Sequence, residues 1–395
     1  MKKIPRNVII LGIVSFFNDL AAEMIYPIVP IFLTTVLKTS VPILGLIEGI
    51  AEATAAVGKY LFGTLSDYFQ RRKIFVTLGY SFGAVSKILI GLAQSWPLVL
   101  FARFIDRTGK GLRTAPRDSI LFENTTNFNR GFIFGFHRSL DSLGAVFGPI
   151  LGLMLLYFLK ENMRLVFFLA FIPSVFALIL LIIAVKEKSW IKTDEERHFV
   201  KINFRSINPH LKLFLLVSFI FALGNSSDAF LILRAKNLGL TTILVTLTYV
   251  LYNISQAVFA TPAGKLADKI GAKKVFALGL FIFSAVYFSF GIIKNPIFIW
   301  FIFPIYGIYI AFTDGVSKAY LSEFIDKKES GSYFGLHQTL IAVGAFLASA
   351  IGGILWNKIN PSATFYYGSL MAALALLIFL FSHRFQSKSL LEINK

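Results

Sequence analysis

The chain has 395 residues, of which 56% are hydrophobic and only 15% charged, with 43 phenylalanines and a mean hydropathy of +0.71. A soluble domain carries roughly 25% charged residues, which excludes an ordinary soluble enzyme; at about 20 apolar residues per crossing, this length holds about a dozen membrane spans and no separate soluble domain. The net charge of +18 lies between apolar runs and not on a folded basic face, which argues against nucleic acid, and the absence of Cys removes disulfides, thiol nucleophiles and Cys-based metal sites.

The opening MKKIPRN, leading into VIILGIVSFF, has the outline of a signal peptide. Asp19 and Glu23 then interrupt the apolar run, no small-residue cleavage site appears, and the run continues to Leu33, so this segment reads as the first span. Apolar runs bounded by charge, Gly or Pro predict helices over 8–35, 42–66, 74–94, 97–118, 131–158, 165–185, 210–234, 242–267, 275–293, 296–320, 331–357 and 363–382, an all-α integral membrane protein with twelve transmembrane helices. An even number puts both termini on one side. That side holds Lys2, Lys3 and Arg6; Arg71, Arg72 and Lys73; the basic residues of the central linker (Lys186, Lys188, Lys192, Arg197, Lys201, Arg205) and Lys212; Lys273 and Lys274; Lys327 and Lys328; Arg384 and Lys388. The opposite loops hold single charges such as Lys38, Lys160, Lys294 and Lys358. Positive loops face the cytoplasm, so the expected location is a bacterial cytoplasmic (inner) membrane, multi-pass, with both termini cytoplasmic.

The one long polar stretch comes after the sixth predicted span and divides the chain into an N-terminal six-helix half (1–185), a linker (186–209) and a C-terminal six-helix half (210–395). The halves repeat. RGFIFGFHRSLDSLGAVFGPILG at 130–152 aligns without gaps, at an offset of 200, with the segment from Ser330 to Gly352, matching Gly131/Gly331, Phe134/Phe334, Gly135/Gly335, His137/His337, Gly144/Gly344 and Gly152/Gly352. GTLSDYFQRRK at 63–73 and GKLADKIGAKK at 264–274 share Gly, three residues, Asp and a basic cluster. Parallel duplication with a midplane site is an architecture of secondary transporters.

Ionisable groups inside spans are the candidate machinery, because each costs at least about 2.5–3.5 kcal/mol at the bilayer centre and so faces a cavity or a partner. Asp19 and Glu23 stand four apart on one helical face, as do Glu48 and Glu52. The fourth predicted span carries Arg103, Asp106 and Arg107, the fifth Arg138 and Asp141, and the seventh Asp228 beside Asn225; Lys87 either pairs with an acid or snorkels. His137 and His337 recur at the repeat offset, but no carboxylate cluster with ligand spacing surrounds both, so no metal site is assigned.

Three motifs resemble those of the major facilitator superfamily, and the resemblance covers essentially the whole chain. Gly63, Asp67, Arg71, Arg72 and Lys73 resemble the family's loop between spans 2 and 3, with Tyr68 and Gln70 standing where a basic residue and Gly are usual; Gly264, Asp268, Lys269, Gly271 and Lys274 match the pattern more closely. Arg103, Gly109 and Gly111 resemble the span 4 motif of proton-coupled exporters, with Asp106 and Arg107 in place of Gln and Gly. Gly135, Gly144, Gly148, Pro149 and Gly152 resemble the antiporter motif of span 5, lacking its final Gly at Leu153.

The resemblance implies two six-helix halves with spans 1, 4 and 7 lining a central cavity, and a conformational gate at Gly63, Asp67, Arg71, Arg72, Lys73, Gly264, Asp268 and Lys274. It implies a secondary transporter exporting a small solute in exchange for protons, with Asp19, Glu23, Arg103, Asp106, Arg107, Asp141 and Asp228 as proton or substrate groups. The rival is a proton-coupled importer of an anionic or metal-chelate solute held by Arg103, Arg107 and Arg113. No P-loop and no catalytic constellation is present, so an enzyme is not expected. The expected partners are a small-molecule substrate, protons and the lipid bilayer, without cofactor, metal or nucleic acid, and the chain is expected to act as a monomer.

Overall fold

The computed structural model describes residues 4–39, 41–187 and 207–393, without the side chains of 41, 42, 44–46, 48, 242, 243, 246 and 382–393. Lys2, Lys3 and the linker residues Lys188, Lys192, Arg197, Lys201 and Arg205 lie outside the described residues, as do the side chains of Glu48, Arg384 and Lys388.

Twelve helical elements succeed one another along the chain: α1 (Arg6–Val36), α2 (Val41–Phe69), α3 (Arg72–Leu92), α4 (Trp96–Glu123), α5 (Arg130–Phe158), α6 (Met163–Ala184), α7 (Pro209–Asn237), α8 (Thr242–Ile270), α9 (Ala272–Ile292), α10 (Pro296–Leu321), α11 (Ser330–Lys358) and α12 (Pro361–Ile393). Each coincides with one predicted span. Among the described residues, nine are long and apolar enough to cross a membrane. α4 is not one of the nine, because charged residues recur along it from Arg103 to Glu123. At 1.5 Å per residue it is nevertheless about 42 Å long, enough to cross.

Two elements are interrupted where the sequence removes backbone donors or offers local caps. α1 is α-helical over Arg6–Ile25, turns at Tyr26 and Pro27, resumes over Ile28–Ile31 and ends in a π turn at Phe32–Val36. Pro27 lacks the N–H that would close on the carbonyl of Glu23, so the ladder opens one turn beyond that acid. α7 breaks between Gly224 and Ala229, where Ser227 receives Ala229 N–H on its hydroxyl (3.3 Å) and sends its own N–H to Ser349 Oγ (3.0 Å). Elsewhere Asn162 and Thr241 cap α6 and α8 by accepting from the N–H of Leu165 and Leu244.

The helices divide into two compact units, Met1–Ile202 with Ile325–Thr339, and Asn203–Phe324 with Leu340–Lys395. In the first, neighbours run in the order α2, α4, α3, α6, α1, α5. In the second, the order is α8, α10, α9, α12, α7, with α11 joining α7 where Gly344 meets Ala222 and Leu223. Adding six to each number of the first order yields the second, which is the duplication expressed as packing. The start of α11 belongs to the first unit.

Candidate functional site

α4 is two-faced. Phe101 and Phe104 are exposed, whereas Arg103, Arg107, Arg113 and Arg117 are each at most 8% exposed. Residues 103, 106, 107, 110, 113 and 117 recur at three- and four-residue steps, which places them along one helical stripe. Much of the stripe is paired. Arg107 reaches Asp106 (3.8 Å) and the exposed Glu52 of α2 (3.5 Å), and Arg103 lies 4.0 Å from Asp106. Arg117 meets Asp118 (3.5 Å) and Asp141 (3.8 Å) and donates to Ser15 (3.1 Å); Arg138 donates to Asp141 (2.8 Å). Ser15 also donates to Asp141, which is therefore held by two arginines and a hydroxyl from three helices.

Asp19 and Glu23 sit on the face of α1 that meets α5. A Cβ on Gly144 would stand 2.9 Å from the Leu20 nitrogen and 3.0 Å from the Asp19 Cβ; one on Gly148 would stand 2.6 Å from the Glu23 Cβ; one on Gly152 would strike the Met24 backbone. The glycines of the span 5 motif therefore let two backbones touch beside the two acids. Asn18 Nδ2 donates to Asp19 (3.2 Å). Neither Asp19 nor Glu23 has an ion-pair partner within 4.0 Å among the described residues.

Three cations nearby are likewise without a carboxylate at that distance: Lys87, Lys110 and Arg113. Lys87 is 1% exposed, so it neither snorkels nor joins an acid, and it donates to the Gly83 carbonyl (2.8 Å). Arg113 stacks over the Tyr80 ring at 5.0 Å, and its Nη1 is buried without a hydrogen-bond partner. Asp19 and Asp106 lie within electrostatic reach of Lys87, Asp19 within reach of Arg113, and Glu23 within reach of Lys110.

At the far end of the first unit, Asp67 is 2% exposed and accepts from Gly331 N–H, Ser332 N–H and the Ser332 hydroxyl. Arg72 pairs with Asp67 (3.1 Å) and Glu123 and donates to the Lys327 carbonyl. Gly63 lies against Gly331, with no room for a side chain. Arg71 is exposed, and Lys73 donates to the Ile182 carbonyl (2.7 Å). Gln70, where the family motif carries Gly, has φ +52°, and Gly271 in the second copy has φ +96°. In that copy Gly264 is buried and Asp268 half-buried near the end of α8, with Lys274 in the first turn of α9.

The second unit has a different character. Asp228, at the break in α7, accepts from Tyr306 (2.6 Å) and Tyr252 (3.2 Å). Tyr287 donates to the Ser226 carbonyl (3.3 Å) and stacks on Phe283 with centroids 4.0 Å apart. Asp228 thus sits among tyrosines, in contrast with the arginines around Asp141 in the first unit.

Sequence reasoning missed Ser15, Lys110, Arg117, Asp118 and Ser332. Ser15, Lys110 and Arg117 were accessible to it, since Lys110 and Arg117 continue the spacing of Arg103 and Arg107, and Ser15 precedes Asp19 by one turn. Ser332 acts largely through its backbone, which leaves no mark in composition.

The comparisons agree with this architecture. The family model for the Major Facilitator Superfamily matches residues 11–234 and 213–394. The MFS-type transporter MJ1317 of Methanocaldococcus jannaschii is 36% identical over 386 residues, covering 96% of each chain. The multidrug resistance protein MdtG of Escherichia fergusonii is 24% identical over 293 residues, covering 71% of this chain and 70% of its own. The crystal structure of the human organic anion transporter MFSD10 (TETRAN) superposes with a TM-score of 0.81 at 15% identity, over 95% of this chain and 99% of the other. Twelve helices in two six-helix halves with the same neighbour order, together with these matches over nearly the full length, establish that the chain belongs to the major facilitator superfamily of membrane transporters.

Proposed function

We propose that this transporter couples a small solute to protons carried by Asp19 and Glu23 of α1, and that it works as an exporter by alternating access. The observation that carries the reading is the backbone contact of α1 with Gly144, Gly148 and Gly152. A carboxyl in an apolar setting holds its proton, and one beside an arginine releases it. With no side chain cushioning α1 against α5, a change of charge at Asp19 or Glu23 acts directly on helix packing. Export is supported by the match of the α5 ladder to the antiporter motif and by the likeness to a multidrug resistance protein. Exchange requires that solute and proton compete for these carboxyls. On this reading both termini face the cytoplasm and the gate is the Asp67 cap on α11, made and broken in each cycle.

A second reading, proton-coupled uptake of an anionic solute, is favoured by Lys87, Lys110 and Arg113, which have no carboxylate within 4.0 Å among the described residues. Membrane vesicles given a mixture of cell-extract solutes, read by mass spectrometry, decide between the two. Accumulation in acid-inside inside-out vesicles supports export. Accumulation in right-side-out vesicles placed in acid medium supports uptake. The absence of any pH-driven flux in both orientations overturns proton coupling.

A further inference from the structure

Asp118 is fully buried near the end of α4, and its two carboxylate oxygens serve different partners. Oδ1 lies 3.5 Å from Arg117 Nη2, and Oδ2 accepts from the side-chain amide of Gln338 on α11 at 2.8 Å. The other terminal nitrogen of Arg117, Nη1, donates to Ser15 (3.1 Å) and stands 3.8 Å from Asp141. Asp141 in turn lies within reach of Asp19. A chain of polar contacts therefore leads from the acids of α1 and α5, through one guanidinium, to the start of α11.

We propose that Gln338 is the positioning residue through which the charge on the α1 and α5 carboxyls decides whether α11 stays or leaves. It rests on the proton-coupled reading above, to which it adds the residue that carries the signal to the gate. Gln338 stands two turns beyond the N–H groups capped by Asp67 and reaches α4 instead of α2, so it is a separate attachment. The first unit keeps α11 only as far as Thr339, whose hydroxyl donates to the Ala56 carbonyl (2.7 Å). Gln338 thus belongs to the last turn held. Nor is its bond a by-product of the duplication. At the repeat offset of 200, Asp118 corresponds to Lys318 and Gln338 to Arg138, two cations that cannot reproduce it.

Arg117 is shared between two carboxylates. While Asp141 is charged, it draws the guanidinium away from Asp118, which keeps the charge that holds the Gln338 amide. Once the Asp19 and Asp141 pair takes up a proton, Arg117 turns further to Asp118, and a neutralised acceptor holds an amide less strongly than a charged one. α11 is then released in the protonated form, the form that has to open towards the side where the proton leaves. The other charged or titratable groups around this path are Glu23 on α1, Tyr80 and Lys87 on α3, Lys110 and Arg113 on α4, and His137 and Arg138 on α5. They set when the proton is taken up; Arg117 is the group that also holds Asp118.

The chain has no cysteine, so one introduced thiol reports the gate. Ser66 of α2 is fully buried, with its hydroxyl 2.8 Å from where a Cβ on Gly331 would stand, and Ser66→Cys is the reference. The purified full-length protein in detergent is alkylated with N-ethylmaleimide from acid to neutral pH. Each rate is divided by that of the same variant unfolded in dodecyl sulfate at the same pH, which removes the titration of the thiol itself. The reference rate should rise as pH falls. A hydrogen bond to a charged group shifts an equilibrium about 10- to 100-fold, so adding Gln338→Leu should raise the neutral rate by about 10-fold or more and leave it flat across pH. Asp67→Ala, which removes the cap, should raise the rate and keep its slope, and Thr339→Val should keep the slope as well. Should Gln338→Leu fail to fold, Gln338→Lys carries the reverse test: a full countercharge for Asp118 should slow alkylation at every pH. A reference rate that ignores pH, a slope surviving in Gln338→Leu, faster alkylation in Gln338→Lys, or a slope lost equally in Thr339→Val overturns the proposal. Where solute flux still follows a pH gradient, proton coupling stands without this relay; where flux ignores pH too, proton coupling falls with it.

Discussion

Asp67 caps α11 by taking the N–H groups of Gly331 and Ser332, at 3.0 and 2.6 Å, onto its two carboxylate oxygens. The first N–H groups of a helix have no partner within it, and the helix dipole favours an anion there. The same carboxylate faces Arg72 at 3.1 Å, so it answers to a helix end and to a guanidinium at once. Asp67→Ala should cost about 1–2 kcal/mol through the lost cap, and more through the abandoned arginine. Ser332→Ala, which removes only the hydroxyl bond of 2.8 Å, should cost less. Thermal unfolding of the two variants gives the order, and the reverse order would refute a capping role.

Gln70 occupies the left-handed region at φ +52°, where a side chain costs about 1–2 kcal/mol relative to glycine. Its amide repays part of this by donating to the carbonyls of Asp67 (2.5 Å) and Lys328 (3.3 Å). Gln70→Gly should therefore change stability by less than about 1 kcal/mol, while Gln70→Ala, which keeps the strain and loses both bonds, should destabilise. Equal melting temperatures for Gln70→Ala and the unmodified protein would show that the bonds contribute nothing.

At Gly148 a new Cβ would come within 2.6 Å of the Glu23 Cβ and 2.8 Å of the Leu20 carbonyl, both on α1. Overpacking of this kind costs about 1–3 kcal/mol. Gly148→Val should impair solute flux relative to the unmodified chain in vesicles holding equal amounts of protein. Full activity in Gly148→Val would mean that close approach of α1 and α5 is dispensable.

Neutralising the acids separates proton carriers from structural charges. Asp19→Asn and Glu23→Gln remove carboxyls with no ion-pair partner within 4.0 Å among the described residues and should leave a folded protein whose flux no longer responds to a pH gradient. Asp141→Asn leaves Arg117 and Arg138 without their shared carboxylate and should cost about 3–5 kcal/mol. Asp19→Asn with intact pH-driven flux would remove Asp19 from the mechanism.

Glu329 lies just ahead of α11, where burial and the neighbouring Asp326 and Asp67 raise its carboxyl above the ordinary range. A carboxyl raised in the folded state favours folding while it is protonated, and that contribution is lost as pH climbs through the folded-state value. Glu329→Gln should therefore raise Tm at neutral pH, with the gain vanishing in acid below the usual carboxylate range. A constant difference across pH would point to packing instead of charge.

The twelve spans were legible because each crossing imposes a run of about 20 apolar residues. α4 was the hardest to bound. Read from hydropathy it ends at 118, but the helix continues to Glu123, because charges taken as punctuation are its buried face. Asp19 and Glu23 were recognisable from their four-residue spacing inside an apolar run. That neither has an ion-pair partner within 4.0 Å among the described residues was not, since it depends on which partners Asp106, Asp118 and Asp141 take first. The Asp67 cap was half visible: the motif marks the acid, but its donors are backbone groups of residues 264 and 265 positions away. The Asp228 site was visible only as an acid, because its tyrosines come from α8 and α10.

The charged stripe of α4 also bears on how the protein is made. A helix with Arg103, Asp106, Arg107, Lys110, Arg113, Arg117 and Asp118 along its length is too polar to leave the translocation channel for lipid by its own hydropathy. It packs along α2 and α3, which precede it in the chain. Synthesis therefore has to hold those earlier helices nearby until α4 emerges, and biogenesis of this transporter is cooperative at its fourth crossing.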